Sequence, residues 1–183
     1  MDKQQEQDII ARVRRGDRTA FATLIDVYGK PIYNLALRMT GQPADAEDLA
    51  QETFLRAFRQ LHRFDSNRSF FTWLYTISLN LIRSHLKKIG HHQQVDSVHA
   101  TDNPDYTQET LDENALLKDR LEGLDHHLQA LPADLRELLV LRFYQDLPFD
   151  AIAEITGHSE SAVKMRVYRG LEKLKTLLND SEL

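Results

Sequence analysis

Residues 147–175 read "LPFDAIAEITGHSESAVKMRVYRGLEKLK", and the fold turns on how that stretch is parsed. Pro148 suits a first helical turn, and Ile152 and Ile155 give a short helix an apolar face. Gly157 supplies a turn, and Ser159 stands where a second helix needs an N-cap. On that second helix Val163, Val167, Leu171, Leu174 and Leu178 line one side at steps of three and four. At about 100° per residue, Ser161, Met165 and Arg169 project from the opposite side, and Lys164 and Arg166 flank the stripe. Two helices around a glycine turn, the second apolar within and basic without, are what a helix-turn-helix requires. The major groove admits one helix, whose N-terminal half reaches base edges. Lys164, Arg166 and Arg169 are therefore candidates for phosphate or guanine, while Ser161 and Met165 are short enough to approach bases. A helical hairpin with a solvated basic face fits the same spacing.

Outward from this stretch, the averages are less telling than their distribution. The chain has 183 residues, 42% of them hydrophobic, and a net charge of −5. That is one domain or two small ones with enough apolar content for a core. Residues 1–89 carry 14 Lys+Arg against 10 Asp+Glu, and residues 90–138 carry 3 against 11. Binding to nucleic acid needs local rather than global positive charge, so an acidic total does not exclude it. The lack of cysteine excludes disulfides, thiolate metal sites and cysteine nucleophiles. No apolar run approaches the ~20 residues that span a bilayer, and "MDKQQEQDII" is too polar for a secretory signal. The expectation is a soluble, cytoplasmic protein without membrane insertion.

Apolar residues recur at helical spacing almost throughout, which predicts an all-α protein. In residues 16–41, Phe21, Leu24, Ile25, Tyr28, Ile32, Leu35 and Met39 form one stripe. Asp17 is placed to cap its start, and Pro31 predicts a kink or brief break. "PADAEDLAQETFLRAFRQLHRF", residues 43–64, buries Ala46, Leu49, Ala50, Thr53, Phe54, Ala57, Phe58 and Leu61, with a polar opposite face. "HRFDSNRS", residues 62–69, breaks the pattern with turn formers. "FFTWLYTISLNLIRSHLKK", residues 70–88, is a further helix ending in cations that suit a helix C-terminus. From Gly90 to about Glu113 there is no Lys or Arg and the periodicity vanishes, as in a flexible acidic linker. The expected architecture is two helical domains, 1–89 and 115–183, joined by an acidic linker over 90–114.

Taken together, "DAEDLAQETFLRAF", "FDSNRSFFTWLYTISLNLIRSHLKK" and "LPADLRELLVLRFYQDLPFDAIAEITGHSESAVKMRVYRGLEKLK" closely resemble the extracytoplasmic-function (ECF) sigma factors of bacteria. The match runs in order over nearly the whole chain. The resemblance implies a region 2 helical bundle and a region 4 helix-turn-helix, which bind the −10 and −35 promoter elements and hold core RNA polymerase. It implies promoter-specific transcription initiation, no enzymatic activity, no cofactor, and a dedicated anti-sigma partner that masks these surfaces.

By position, the resemblance gives Asp48, Gln51 and Glu52 to polymerase binding, with Leu55 and Arg56 beside them. These residues also lie off the apolar stripe, although a merely solvated helix face would do the same. It gives the −10 strand to the loop of Phe64, Asn67 and Arg68 and to the following helix. There Asn80 matches a base-touching position and Arg83, Lys87 and Lys88 meet phosphates. Unstacking a duplex is favoured by capturing the expelled base, and Phe64 in the loop invites stacking. Trp73 and Phe70 fall at helical spacing and belong to the core. The −35 duplex falls to Ser159, Ser161, Lys164, Met165, Arg166 and Arg169. One departure stands out: the family commonly carries aspartate then an arginine pair where this chain has Ser84 and Lys87-Lys88, so base preference at the −10 element is open. The resemblance also implies that the acidic linker mimics a phosphate backbone inside polymerase channels, while a linker that only aids solubility has the same composition.

Enzyme and metal readings find little. "GKP" at 29–31 lacks the glycine and hydroxyl of a phosphate loop, and His91-His92, His99 and His126-His127 lack a converging spacing. Two rivals remain: a helix-turn-helix regulator acting without polymerase, and a helical protein-interaction module.

Overall fold

Each strongly amphipathic stretch becomes a helix whose apolar side faces inward. The structure is a computed structural model describing residues 1–92 and 125–181. Its α-helices are α1 (Lys3–Arg14), α2 (Ala20–Thr40), α3 (Pro43–Gln60), α4 (Phe70–His92), α5 (Asp125–Gln129), α6 (Ala133–Leu139), α7 (Phe149–Thr156) and α8 (Glu160–Ser181). A 3-10 turn at Leu61–Arg63 follows α3, and a π-helical turn at Val140–Tyr144 continues α6. No strand occurs among the described residues, and the all-α expectation holds. The acidic segment lies outside the described residues from position 93 onward, and α4 itself continues to His92.

The caps follow the sequence. Asp2 and Gln5 form a reciprocal capping box on α1. Asp17 accepts a bond from Ala20 N at 3.2 Å, as its position predicted. The Thr19 hydroxyl and then Arg12 hold its carboxyl down to about 2. Pro31 does not divide α2, which runs unbroken from Ala20 to Thr40. Proline removes one N–H from the ladder, but α2 is packed on α3 and α4, and burial of Ile32, Leu35 and Met39 fixes the segment that follows.

Core residues from both halves form one continuous cluster: Leu24, Ile32, Leu35, Leu74 and Ile82 with Leu128, Leu138, Leu139 and Val163. α5 and α6 pack on α2, and α7 packs on α4, so the two helical halves share an interface. Within the C-terminal half, α8 packs on α6, and Gly170 faces Leu139 there. A Cβ there would sit 3.1–3.3 Å from three side-chain carbons of the fully buried Leu139. Gly170→Val is therefore expected to destabilise the fold by about 1–3 kcal/mol through overpacking, read as a lowered urea midpoint. An unchanged midpoint would refute this packing.

Candidate functional site

The helix-turn-helix is built as its sequence suggests. Gly157 ends α7 in the left-handed region, with φ +74°, where a Cβ would be strained. The Ser159 hydroxyl accepts from Ala162 N at 3.3 Å and its carbonyl from Val163 N at 3.0 Å, starting α8. Val163, Val167 and Leu174 are buried beneath. Ser159 and Ser161 are exposed, whereas Lys164, Met165, Arg166 and Arg169 are half-buried. Lys164 pairs with Glu160 at 2.7 Å and lies over the Phe149 ring at 5.5 Å. Arg166 Nη1 is 2.9 Å from His158 Nε2. A surface pair of this kind contributes at most about 1 kcal/mol, so neither cation is held strongly by its partner.

On α3, Asp48, Gln51, Leu55 and Arg56 are exposed and Glu52 half-exposed, while Leu49, Thr53, Phe54 and Ala57 are buried. Glu52 bonds Arg56 one turn on, at 2.6 Å. Two apolar residues expected in the core lie outside it. Phe58 is 36% exposed and Ile25 is 42% exposed, beside Leu55 at 50%. Phe58 meets Phe21 at 5.1 Å, and Ile25 follows Phe21 by one turn of α2. An acidic and polar stripe thus adjoins an apolar patch, the composition of a protein-docking surface.

The loop between α3 and α4 is tied to α1. Arg14 donates to the carbonyls of Leu61 and Phe64 and to the Ser66 hydroxyl, while Gln7 donates to the Ser66 carbonyl. Asn67 and Arg68 are exposed, and Asp65 accepts from Asn67 N at 3.0 Å. Phe64 departs from expectation. It is 4% exposed and packs on Phe70 and Trp73, with ring centroids 5.6 and 5.1 Å away. An aromatic ring gains more from complete burial than from a wet loop, so Phe64 anchors the loop rather than offering a stacking face.

Asn80, Lys87 and Lys88 are exposed on α4 at helical spacing, and the Ser84 hydroxyl donates to the Asn80 carbonyl at 2.7 Å. Arg83 shares this surface but is engaged across the molecule. Its guanidinium grips Glu137 of α6 through Nε–Oε2 at 2.8 Å and Nη2–Oε1 at 2.5 Å. That bond raises the arginine's pKa, against the opposing effect of burial. No group of three or more potential metal ligands occurs among the described residues, and no described helix is long and apolar enough to cross a membrane.

Comparison with known proteins shows the family. A family model described as Sigma-70 region 2 matches residues 24–91, and one described as Sigma-70, region 4 matches residues 121–174. The RNA polymerase sigma-H factor of Pseudomonas aeruginosa is 33% identical over 97% of this chain and 96% of its own. The ECF RNA polymerase sigma factor SigW of Bacillus subtilis is 34% identical over 93% and 95% respectively. The chain belongs to the ECF sigma factor family. It is a transcription initiation factor directed to promoters, as the sequence resemblance implied. The fold of this sigma factor also matches CnrH, solved in complex with the cytosolic domain of CnrY, at a TM-score of 0.72 and 24% identity over 96% of this chain and 98% of that one.

Sequence reasoning missed the residues that join the sigma factor's two halves: Gln129, Arg136, Glu137 and Gln145. A signal was present in "LRELLVL", residues 135–141, where an adjacent arginine and glutamate interrupt an otherwise apolar run. Charges placed on a buried helix face need partners.

Proposed function

We propose that this sigma factor, acting in the cytoplasm as a non-catalytic subunit, docks on core RNA polymerase through Asp48, Gln51, Glu52, Leu55 and Arg56, with Ile25 and Phe58 widening the patch. Residues 1–89 serve as region 2, 90–114 as the connecting linker and 115–183 as region 4. The −10 strand runs along Asn67 and Arg68 of the loop and Asn80, Arg83, Lys87 and Lys88 of α4. Asn80 bonds an exposed base edge and the cations take phosphates. Phe64 supports that surface from beneath by holding the loop to Phe70 and Trp73. The −35 duplex is read in the major groove by α8, with Ser159 and Ser161 at its leading end and Lys164, Met165, Arg166 and Arg169 behind. An anti-sigma protein is the fitting regulator, because the same exposed faces must be covered when the factor is silent.

The observation carrying this reading is the separation of two surfaces on one bundle. α3 turns acidic and apolar groups outward, whereas the outer face of α4 is amide and cationic. A regulator working without polymerase has no use for the first surface, and an interaction module has none for the second.

Run-off transcription with purified core polymerase tests it. Adding the chain to a library of duplex genomic fragments is expected to produce discrete promoter-specific transcripts, absent with core enzyme alone. Tight duplex binding by the isolated chain, with no transcript from any fragment, would overturn the reading.

A further inference from the structure

Resting on the assignment of α4 to the −10 strand and α8 to the −35 duplex, the interface between the halves acquires a meaning of its own. Elements named −10 and −35 are about 25 base pairs apart, roughly 85 Å along B-DNA at ~3.4 Å per pair. Here Arg83 of α4 and Arg166 of α8 line one cavity of about 300 Å³, together with Asp134, Glu137 and His158. Groups meant for sites that distant on DNA cannot engage both while sharing a single cavity. The structure is therefore a closed state.

Its closure is specific. Arg83 gives both ends of its fork to Glu137, a carboxylate only 6% exposed. Nearby, the Tyr75 hydroxyl donates to Gln145 at 2.7 Å, and Gln145 approaches the Pro31 carbonyl at 3.4 Å. At the far end of the interface, Gln129 and Arg136 donate to the carbonyls of Arg38 and Met39 at 2.7 and 2.6 Å. A planar fork on a carboxylate presents the same geometry as a fork on phosphate.

We infer that Glu137 acts as an internal stand-in for a −10 strand phosphate, holding region 4 against region 2 and occupying Arg83 until the halves separate. Binding of polynucleotide at α4 and closure are then mutually exclusive, and apparent affinity falls by the fraction of chain held closed.

The chain has no cysteine, so Gln60→Cys with Lys175→Cys, both exposed positions on opposite halves, places two spin labels for distance measurement by pulsed electron resonance. In this background Glu137→Gln keeps size and removes charge. It is expected to shift the distribution toward longer distances and to tighten binding of a fluorescent random-sequence single-stranded 12-mer by about fivefold, given the usual worth of a charge-assisted bond with one exposed partner. Arg83→Gln should lengthen the distance equally while weakening the same oligonucleotide. An unchanged distance in both variants would overturn the inference, and so would lengthening without any gain in affinity for Glu137→Gln. The distance arm contains neither polymerase nor promoter. A chain that opens as expected yet gives no transcript loses the proposed promoter roles, and with them the phosphate reading of Glu137, but keeps its Glu137-dependent closure; one that transcribes but never changes length loses only the closure.

Discussion

Charge reversal at Asp48 and Glu52 together is expected to lower promoter-directed transcription by about a hundredfold or more while leaving the fold almost as stable as before. Both carboxylates stand on the outer face of α3, so arginine at either position meets solvent rather than the core. Losing the Glu52–Arg56 bond, 2.6 Å long and half-exposed, costs about 0.3–0.5 kcal/mol, and a new like-charge pair one turn apart adds about as much. The effect on docking is larger because the stripe borders the apolar patch of Ile25, Leu55 and Phe58, from which a bound partner excludes water. There a mismatched charge costs about 3 kcal/mol or more, and every 1.4 kcal/mol is tenfold in affinity. Co-elution with core polymerase on size exclusion and run-off transcript yield check the two halves of the claim. A doubly reversed chain that still co-elutes and transcribes would remove α3 from the docking surface.

The helix-turn-helix was legible because it is local. A left-handed glycine, a serine cap and an apolar stripe determine one another within some thirty residues, and Gly157, Ser159 and Val163 fall where the pattern put them. The outward face of α3 was legible for the same reason, since burial of Leu49, Phe54 and Ala57 leaves Asp48, Gln51 and Leu55 no other side. Periodicity fails at the edges of a stripe. Ile25 and Phe58 occupy helical register with the core yet stay exposed, because an apolar stripe is bounded by what packs on it and not by spacing alone. Phe64 failed in the opposite direction. Its neighbours are turn formers, and only the tertiary ties from Arg14 and Gln7 bring that loop down onto Phe70. The interface between halves involves partners 54 to 114 positions apart, where sequence pattern carries no register. An arginine-glutamate pair within an apolar run announces that partners exist but not which ones.

Arg136 carries the largest expected loss of stability. α2 ends at Thr40, and like any helix it leaves its last carbonyls without intrahelical donors, at the negative end of its dipole. Gly41 turns the chain away in the left-handed region, leaving room for Gln129 to approach closely where a Cβ would lie 3.0 Å from it. Arg136, 9% exposed, then donates to the Met39 carbonyl at 2.6 Å and to the carbonyls of Gln129 and Leu131 at 3.2 and 3.1 Å. A single planar cation thus satisfies one carbonyl on α2 and two before α6, joining the halves with no carboxylate in the set. Burial works against its charge and lowers its pKa, so the bonds must exceed that cost for the arrangement to persist. Arg136→Ala leaves these acceptors facing a void. At about 1–3 kcal/mol for each buried polar group left unmatched, partly offset by no longer burying a charge, the expected loss is about 3 kcal/mol. That is a large share of the ~5–15 kcal/mol that holds a typical domain together. Arg136→Lys should recover only part of it, because an ammonium is a compact point donor that cannot span three carbonyls set apart in a plane. Urea denaturation of both variants decides the matter: a loss below about 1 kcal/mol for alanine, or full recovery by lysine, would mean that the fork is not what joins α2 to α6.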